Sequence, residues 1–176
     1  MRLAMPALLI TPIFLQACNR PPAAPPATRT TANLAFTLTP PPGFASTKDG
    51  DKSKAWTSGG LPAAPDEPHL VLTRSSKVYP ADDNVRRFGA EQLIRGINQL
   101  GGVVIVATKP ITIDGMPGFE TTAKAMAAGN NAPVRVYAAA VFAADGTFYV
   151  LGYDGGDDSL ATQDLFRAAA QTLTVK

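Results

Sequence analysis

The chain predicts an α+β fold, an α/β/α sandwich built on a central antiparallel sheet of six to seven strands flanked by helices. Three observations lead there. Turn signals, the strongest at Asp145-Gly146, separate strand-like runs at hairpin distance, and hairpins make antiparallel neighbours. Val103 to Val106, Val134 to Phe142 and Phe148 to Leu151 are apolar at odd and even positions alike. Central strands of that kind need cover on both faces, where an antiparallel sheet often leaves one face wet. Two amphipathic helices are the available layers.

From Leu34 onward the pattern is globular. Phe36-Thr37-Leu38-Thr39 alternates and runs into the turn Pro40-Pro41-Pro42-Gly43, as a strand would. Residues Ala45 to Pro68 are polar and broken by glycine and proline, so they read mostly as loop, with one short strand around Lys54 to Thr57. His69 to Ser75 reads as another strand. Asp82 or Asp83 then caps a helix to about Gln99, because Val85, Phe88, Leu93, Ile94, Ile97 and Leu100 recur at helical spacing and Gly101-Gly102 supplies a stop.

Strands follow at Val103 to Thr108 and Ile111 to Ile113. The turn Asp114-Gly115-Met116-Pro117-Gly118 leads to Phe119 to Met126, which alternates. Past Gly129-Asn130-Asn131, Val134 to Ala143 pairs with Phe148 to Tyr153 through Asp145-Gly146. Asp157 or Asp158 caps a final helix to about Thr172, with Leu160, Leu165, Phe166, Ala169 and Leu173 on its apolar side.

The segment before this domain has a different composition. Met1-Arg2 carries one positive charge and Leu3 to Leu15 is almost wholly apolar. Thirteen residues rise roughly 20 Å as a helix, short of the ~30 Å hydrocarbon core. Length and flanks fit a signal peptide. Leu15-Gln16-Ala17-Cys18 resembles a bacterial lipobox, with Leu15 and Ala17 read by the lipoprotein signal peptidase and Cys18 the lipidated residue. Bulky Leu15 at −3 suits that enzyme better than the A-x-A preference of the ordinary secretory peptidase. Only a thiol has the nucleophilicity to accept a diacylglyceryl group as a thioether. At about 0.8 kcal/mol per buried methylene, two or three acyl chains anchor stably where one is marginal. Asn19 in place of Asp is similar to Gram-negative lipoproteins sorted to the outer membrane, facing the periplasm.

The organisation expected is therefore a signal peptide at 1–17, a lipidated Pro/Ala/Thr-rich tether at 18–33, and one domain at 34–176. The tether cannot bury a core, and at ~3.1 Å per residue it spans up to roughly 45 Å. Removing Arg2 with the leader lowers the formal charge from +2 to +1. A near-neutral body with scattered basic residues excludes a general nucleic-acid binder. The single cysteine, once acylated, leaves none for a disulfide. The core must carry the stability, and a domain of this size buries nearly 70% of its surface.

The element order, with Pro42-Gly43-Phe44, Ile113-Asp114-Gly115-Met116-Pro117-Gly118 and Val141-Phe142…Gly146…Tyr149-Val150-Leu151, resembles the Mog1/PsbP-like fold, including bacterial DcrB-type lipoproteins. The resemblance covers about residues 34–175. It implies a binding or assembly factor for other proteins and carries no catalytic residues across.

The residues themselves point the same way. His69 is the sole histidine, and no G-x-S-x-G elbow accompanies it. Asp82-Asp83 and Asp154-Gly155-Gly156-Asp157-Asp158 lack calcium-loop spacing and lie at helix starts, where carboxylates cap free amides. The glycine pairs lack a P-loop signature. No catalytic, metal or cofactor site is expected. Trp56, among Lys48, Asp49, Lys52 and Lys54, either anchors a protein interface or fills the edge of the core. The expected function is a lipid-anchored envelope lipoprotein acting as a non-catalytic protein-binding or assembly module. A small-molecule or lipid carrier is the alternative, and it would need an apolar cavity above about 300 Å³.

Overall fold

The computed structural model describes residues 36–58, 67–155 and 160–175. Strands β1 (Phe36–Thr37), β2 (Ala45–Asp49), β3 (Ser53–Thr57) and β4 (His69–Ser75) precede helix α1 (Asp83–Arg95). Four long strands follow: β5 (Leu100–Ile113), β6 (Met116–Ala127), β7 (Pro133–Ala143) and β8 (Gly146–Gly155). Helix α2 (Leu160–Gln171) and β9 (Thr174–Val175) complete the order. Seven strands form one antiparallel sheet in the order β2-β3-β4-β8-β7-β6-β5, and β1 pairs with β9 in a separate two-stranded ribbon. The expected sandwich is observed.

Local chemistry explains the turns. Asp114 and Gly115 both hold positive φ, 50° and 73°, the geometry that a two-residue hairpin with right-twisted strands requires. The Asp114 carboxylate also accepts the Val175 backbone N–H at 2.9 Å, tying the last strand to this hairpin. Asp82 caps α1, its side chain accepting from the Asn84 and Val85 amides. The β7–β8 loop is Ala144-Asp145, one residue earlier than the Asp145-Gly146 signal, and Gly146 opens β8. Gly146 is small because a Cβ there would press on the Ser75 carbonyl.

Each face of the sheet has its own helix. On β7 the side chains of Tyr137, Ala139 and Val141 pack with Phe166, Ala169 and Ala170 of α2. Those of Val134, Val136 and Ala138 pack with Ile94 of α1, while Ala140 and Phe142 join Ala90. This is why β7 is apolar on both faces from Val136 to Ala143. The two helices are offset: α1 lies over β5, β6 and β7, and α2 over β7 and β8. On the α2 face, β5 and β6 are consequently left without a helix above them.

Several expectations need correction. Helix α1 ends at Arg95 with Gly96 as its cap, not near Gln99, and Gly101-Gly102 lie within β5. Gly96 can accept the cap because its N–H bonds the Gln92 carbonyl at 2.9 Å. The two strands expected between residues 103 and 113 are one continuous strand. Pro110 does not break it, because β5 is an edge strand and a proline there need not leave a ladder bond unmade. For the same reason Val103–Val106 is not central: Val104 and Val106 are 61% and 59% exposed. Val85, Phe88 and Leu165, assigned to apolar helix faces, are exposed as well. Residues 45–49, expected as loop, form β2, and β9 extends beyond the expected helix end. The proposed α2 caps Asp157 and Asp158 lie outside the described residues, as do residues 1–35.

Candidate protein-docking cleft

The uncovered corner of the sheet is a charged cleft. Ladder register builds it: Lys109 stands opposite Glu120, and Val104 opposite Lys124, which in turn faces Arg135 and then Asp154. Alternation on β6 puts Glu120, Thr122, Lys124 and Met126 on the α2 side, while Phe119, Ala123 and Ala125 go to the core under α1. Gln163 and Arg167, one turn apart on α2, form the opposite wall. A bulge between Ile105 and Ala107 brings Val106 to the rim. The enclosed volume is about 180 Å³.

A half-buried ion pair forms the floor. Arg167 grips Glu120 with two parallel hydrogen bonds, Nε to Oε2 at 2.8 Å and Nη2 to Oε1 at 2.9 Å. The carboxylate side chain is 8% exposed and the guanidinium 40%. Arg167 also bonds Asp164 one turn back, and Tyr137 donates to Glu120 Oε2 at 3.4 Å. The hydrogen bonds that Arg167 donates to Glu120, with the carboxylate's charge, hold the Arg167 pKa above its usual value. Burial, reinforced by the Glu120 charge, pushes Tyr137 far above the usual phenol value, so its proton stays in place. The bidentate geometry fixes α2 on the sheet.

The cations around that floor are differently placed. Arg167 is engaged by Glu120 and Asp164. Among the described residues, Lys109 and Lys124 have no carboxylate within 4.0 Å and both are exposed. The cleft therefore presents uncommitted positive charge beside the exposed apolar side chains of Val104, Val106 and Met126. At about 180 Å³ it is smaller than the roughly 300 Å³ chamber that a small-molecule carrier needs.

The residues singled out from sequence fall elsewhere. Trp56 is 7% exposed and packs with Leu70, Phe36 and Phe166. Its indole thus fills the core rather than presenting a surface anchor. His69 stacks on Tyr153 with ring centroids 4.4 Å apart and uses Nδ1 toward the Glu67 carbonyl at 2.7 Å. Burial lowers its pKa below 6.5, opposed in part by Glu67, and burial pushes Tyr153 up to about 12. Asp154 is buried in β8, not at a helix start. Among the described residues no group of three His, Cys, Asp or Glu side chains could hold a metal ion. Leu15, Ala17 and Cys18 lie outside the described residues. Sequence reasoning missed Lys109, Lys124, Glu120 and Arg167, which become neighbours only through ladder register and the seating of α2. One signal was available: Glu120 and Lys124 alternate with the core residues of a recognised strand.

No protein-family model matches the chain, and no curated protein matches it in sequence. Solved structures do share its fold. The chain is similar to LpqN of Mycobacterium tuberculosis, described as involved in cell envelope biogenesis, at 18% identity and TM-score 0.58, over 81% of this chain and 84% of that one. It is similar to Mog1p, the Ran-binding protein of Saccharomyces cerevisiae, at 12% identity and TM-score 0.57, over 80% and 89%. Cyanobacterial PsbP (CyanoP) from Synechocystis matches at 11% identity and TM-score 0.53, over 88% and 99%. The fold is Mog1/PsbP-like, and likeness at these identities establishes the fold alone.

Proposed function

We propose that this chain is a lipid-anchored protein of the cell envelope, facing the periplasm from the outer membrane, and that it acts as a non-catalytic module binding another protein. Anchoring rests on Leu15-Gln16-Ala17-Cys18 behind a short apolar run. Binding rests on one structural observation: helices close the sheet's central strands on both faces, so recognition falls to the surface, where the α2–β5 cleft gathers charge beside exposed valines. The names of two similar structures, one a Ran-binding protein and one involved in envelope biogenesis, agree with that reading. Among the described residues no helix is long and apolar enough to cross a membrane.

Cells expressing the wild-type chain and Cys18→Ser test the anchor. The wild type should label with palmitate and fractionate with membranes, and the variant should accumulate unlabelled precursor. Equal labelling of both chains would end the lipoprotein reading. Chemical crosslinking of the acylated protein should recover a specific envelope protein. Recovery of a co-purified small molecule and no protein would favour a carrier instead.

A further inference from the structure

The charged corner also indicates what it binds, given the reading of this chain as a protein-binding module. We propose that the cleft between α2 and β5–β6 docks an acidic, extended segment of a partner protein. Its carboxylates pair with Lys109 and Lys124, and its apolar side chains lie on Val104, Val106 and Met126.

Four steps lead to this occupant. First, the cations are uncommitted: Arg167 already holds Glu120 and Asp164, whereas Lys109 and Lys124 have no carboxylate in reach among the described residues. Second, the exposed valines flank the lysines on the same strand pair, Val104 directly opposite Lys124. A free inorganic anion has no use for them, whereas an extended peptide with acidic and apolar side chains at every second position, on one face, uses both. Third, β5 is a long edge that could template strand addition, but bulges at Gly101/Val104 and Ile105/Ala107 and the missing amide of Pro110 blunt it. Recognition then runs through side chains more than through a new ladder. Fourth, a second copy of this chain would set Lys109 and Lys124 against their equivalents, so self-pairing through this corner is repelled.

The test uses the full chain in detergent and a fluorescein-labelled octapeptide with Glu and Val taking turns at every second position and Ser between them, so that both line one face, read by anisotropy. Saturable binding that weakens with salt is expected, with a Lys-Val octapeptide failing to bind. The double variant Lys109→Glu/Lys124→Glu should bind about ten-fold more weakly or worse. Both lysines are exposed, so its unfolding midpoint should match the wild type and exclude misfolding as the cause. Val104→Ser/Val106→Ser should weaken binding several-fold. Unchanged affinity after charge reversal, equal binding of the basic peptide, or no saturable binding of the acidic one overturns the proposal. So does retention on anionic phospholipid vesicles that requires the same lysines, since the corner would then serve a lipid surface. Photo-crosslinkers placed in cells at Val104 and at exposed Phe88 separate this failure from the broader one. Specific capture of an envelope protein at Phe88 alone removes the acidic-segment site and leaves the binding module standing. Capture at neither position removes both.

Discussion

Arg167 has a buried partner that cannot be left alone. Glu120 is nearly enclosed, and its carboxylate takes two Arg167 N–H groups. Removing one member of such a pair strands the other charge. The guanidinium is 40% exposed, so solvent screens part of the interaction. Arg167→Ala is expected to cost about 2 kcal/mol in urea unfolding, and Glu120→Ala/Arg167→Ala less than the sum of the two single changes. Additive single effects would show that the pair is uncoupled. His69 makes a pH-dependent contribution of known sign. Its folded pKa lies below 6.5, so between the two values the unfolded chain binds more protons. The contribution to stability is therefore full above the unfolded value and is lost as pH falls through the window. His69→Gln should flatten the fall in urea midpoint between about pH 7.5 and about pH 5 relative to wild type. An identical fall in both chains would remove His69 as its source.

At the scale of elements, α2 is held by close approach as well as by charge. Gly152 of β8 faces Phe166, and a Cβ at that position would overlap the ring at Cδ2 and Cγ. Phe166 is itself buried against Phe44 edge-on, 6.0 Å between centroids, so the ring has little room to retreat. Gly152→Ala should lower stability by about 1–3 kcal/mol through overpacking, seen as a lower thermal midpoint. An unchanged midpoint would mean that α2 shifts freely on the sheet. The elements most legible in sequence were those fixed by local chemistry. β4 was read at His69–Ser75, its observed span, and the Asp82 cap was one of two candidates. The end of α1 is hidden in the sequence because Ile97 and Leu100 continue the apolar spacing after the helix stops. They join the core under α1 from the connection and from β5 instead.

Across the whole molecule the offset of the two helices matters most. It closes the sheet's middle and leaves the β5–β6 corner open on the α2 side, which is where the cleft forms. Cys18, the proposed acylation site, lies outside the described residues. The Cys18→Ser chain is expected to keep the wild-type unfolding midpoint while losing its acyl chains. A lowered midpoint would mean that the N-terminal segment contributes to the stability of the domain. Of the docking cleft, sequence showed only that β6 alternates. Its Arg167–Glu120 floor joins residues 47 positions apart, and nothing in local spacing signals such a pairing. Trp56, suggestive among polar neighbours, faces inward because β3 alternation turns it toward α2.

By itself the sequence determined the layers and the hairpins. Apolar periodicity, turn residues and helix caps act over a few neighbours and need no fold to be read. The tertiary structure decided which strand lies at the edge, which valines stay wet, and which lysines have no carboxylate in reach among the described residues. Those outcomes depend on strand order and on where each helix settles, and long-range packing sets both.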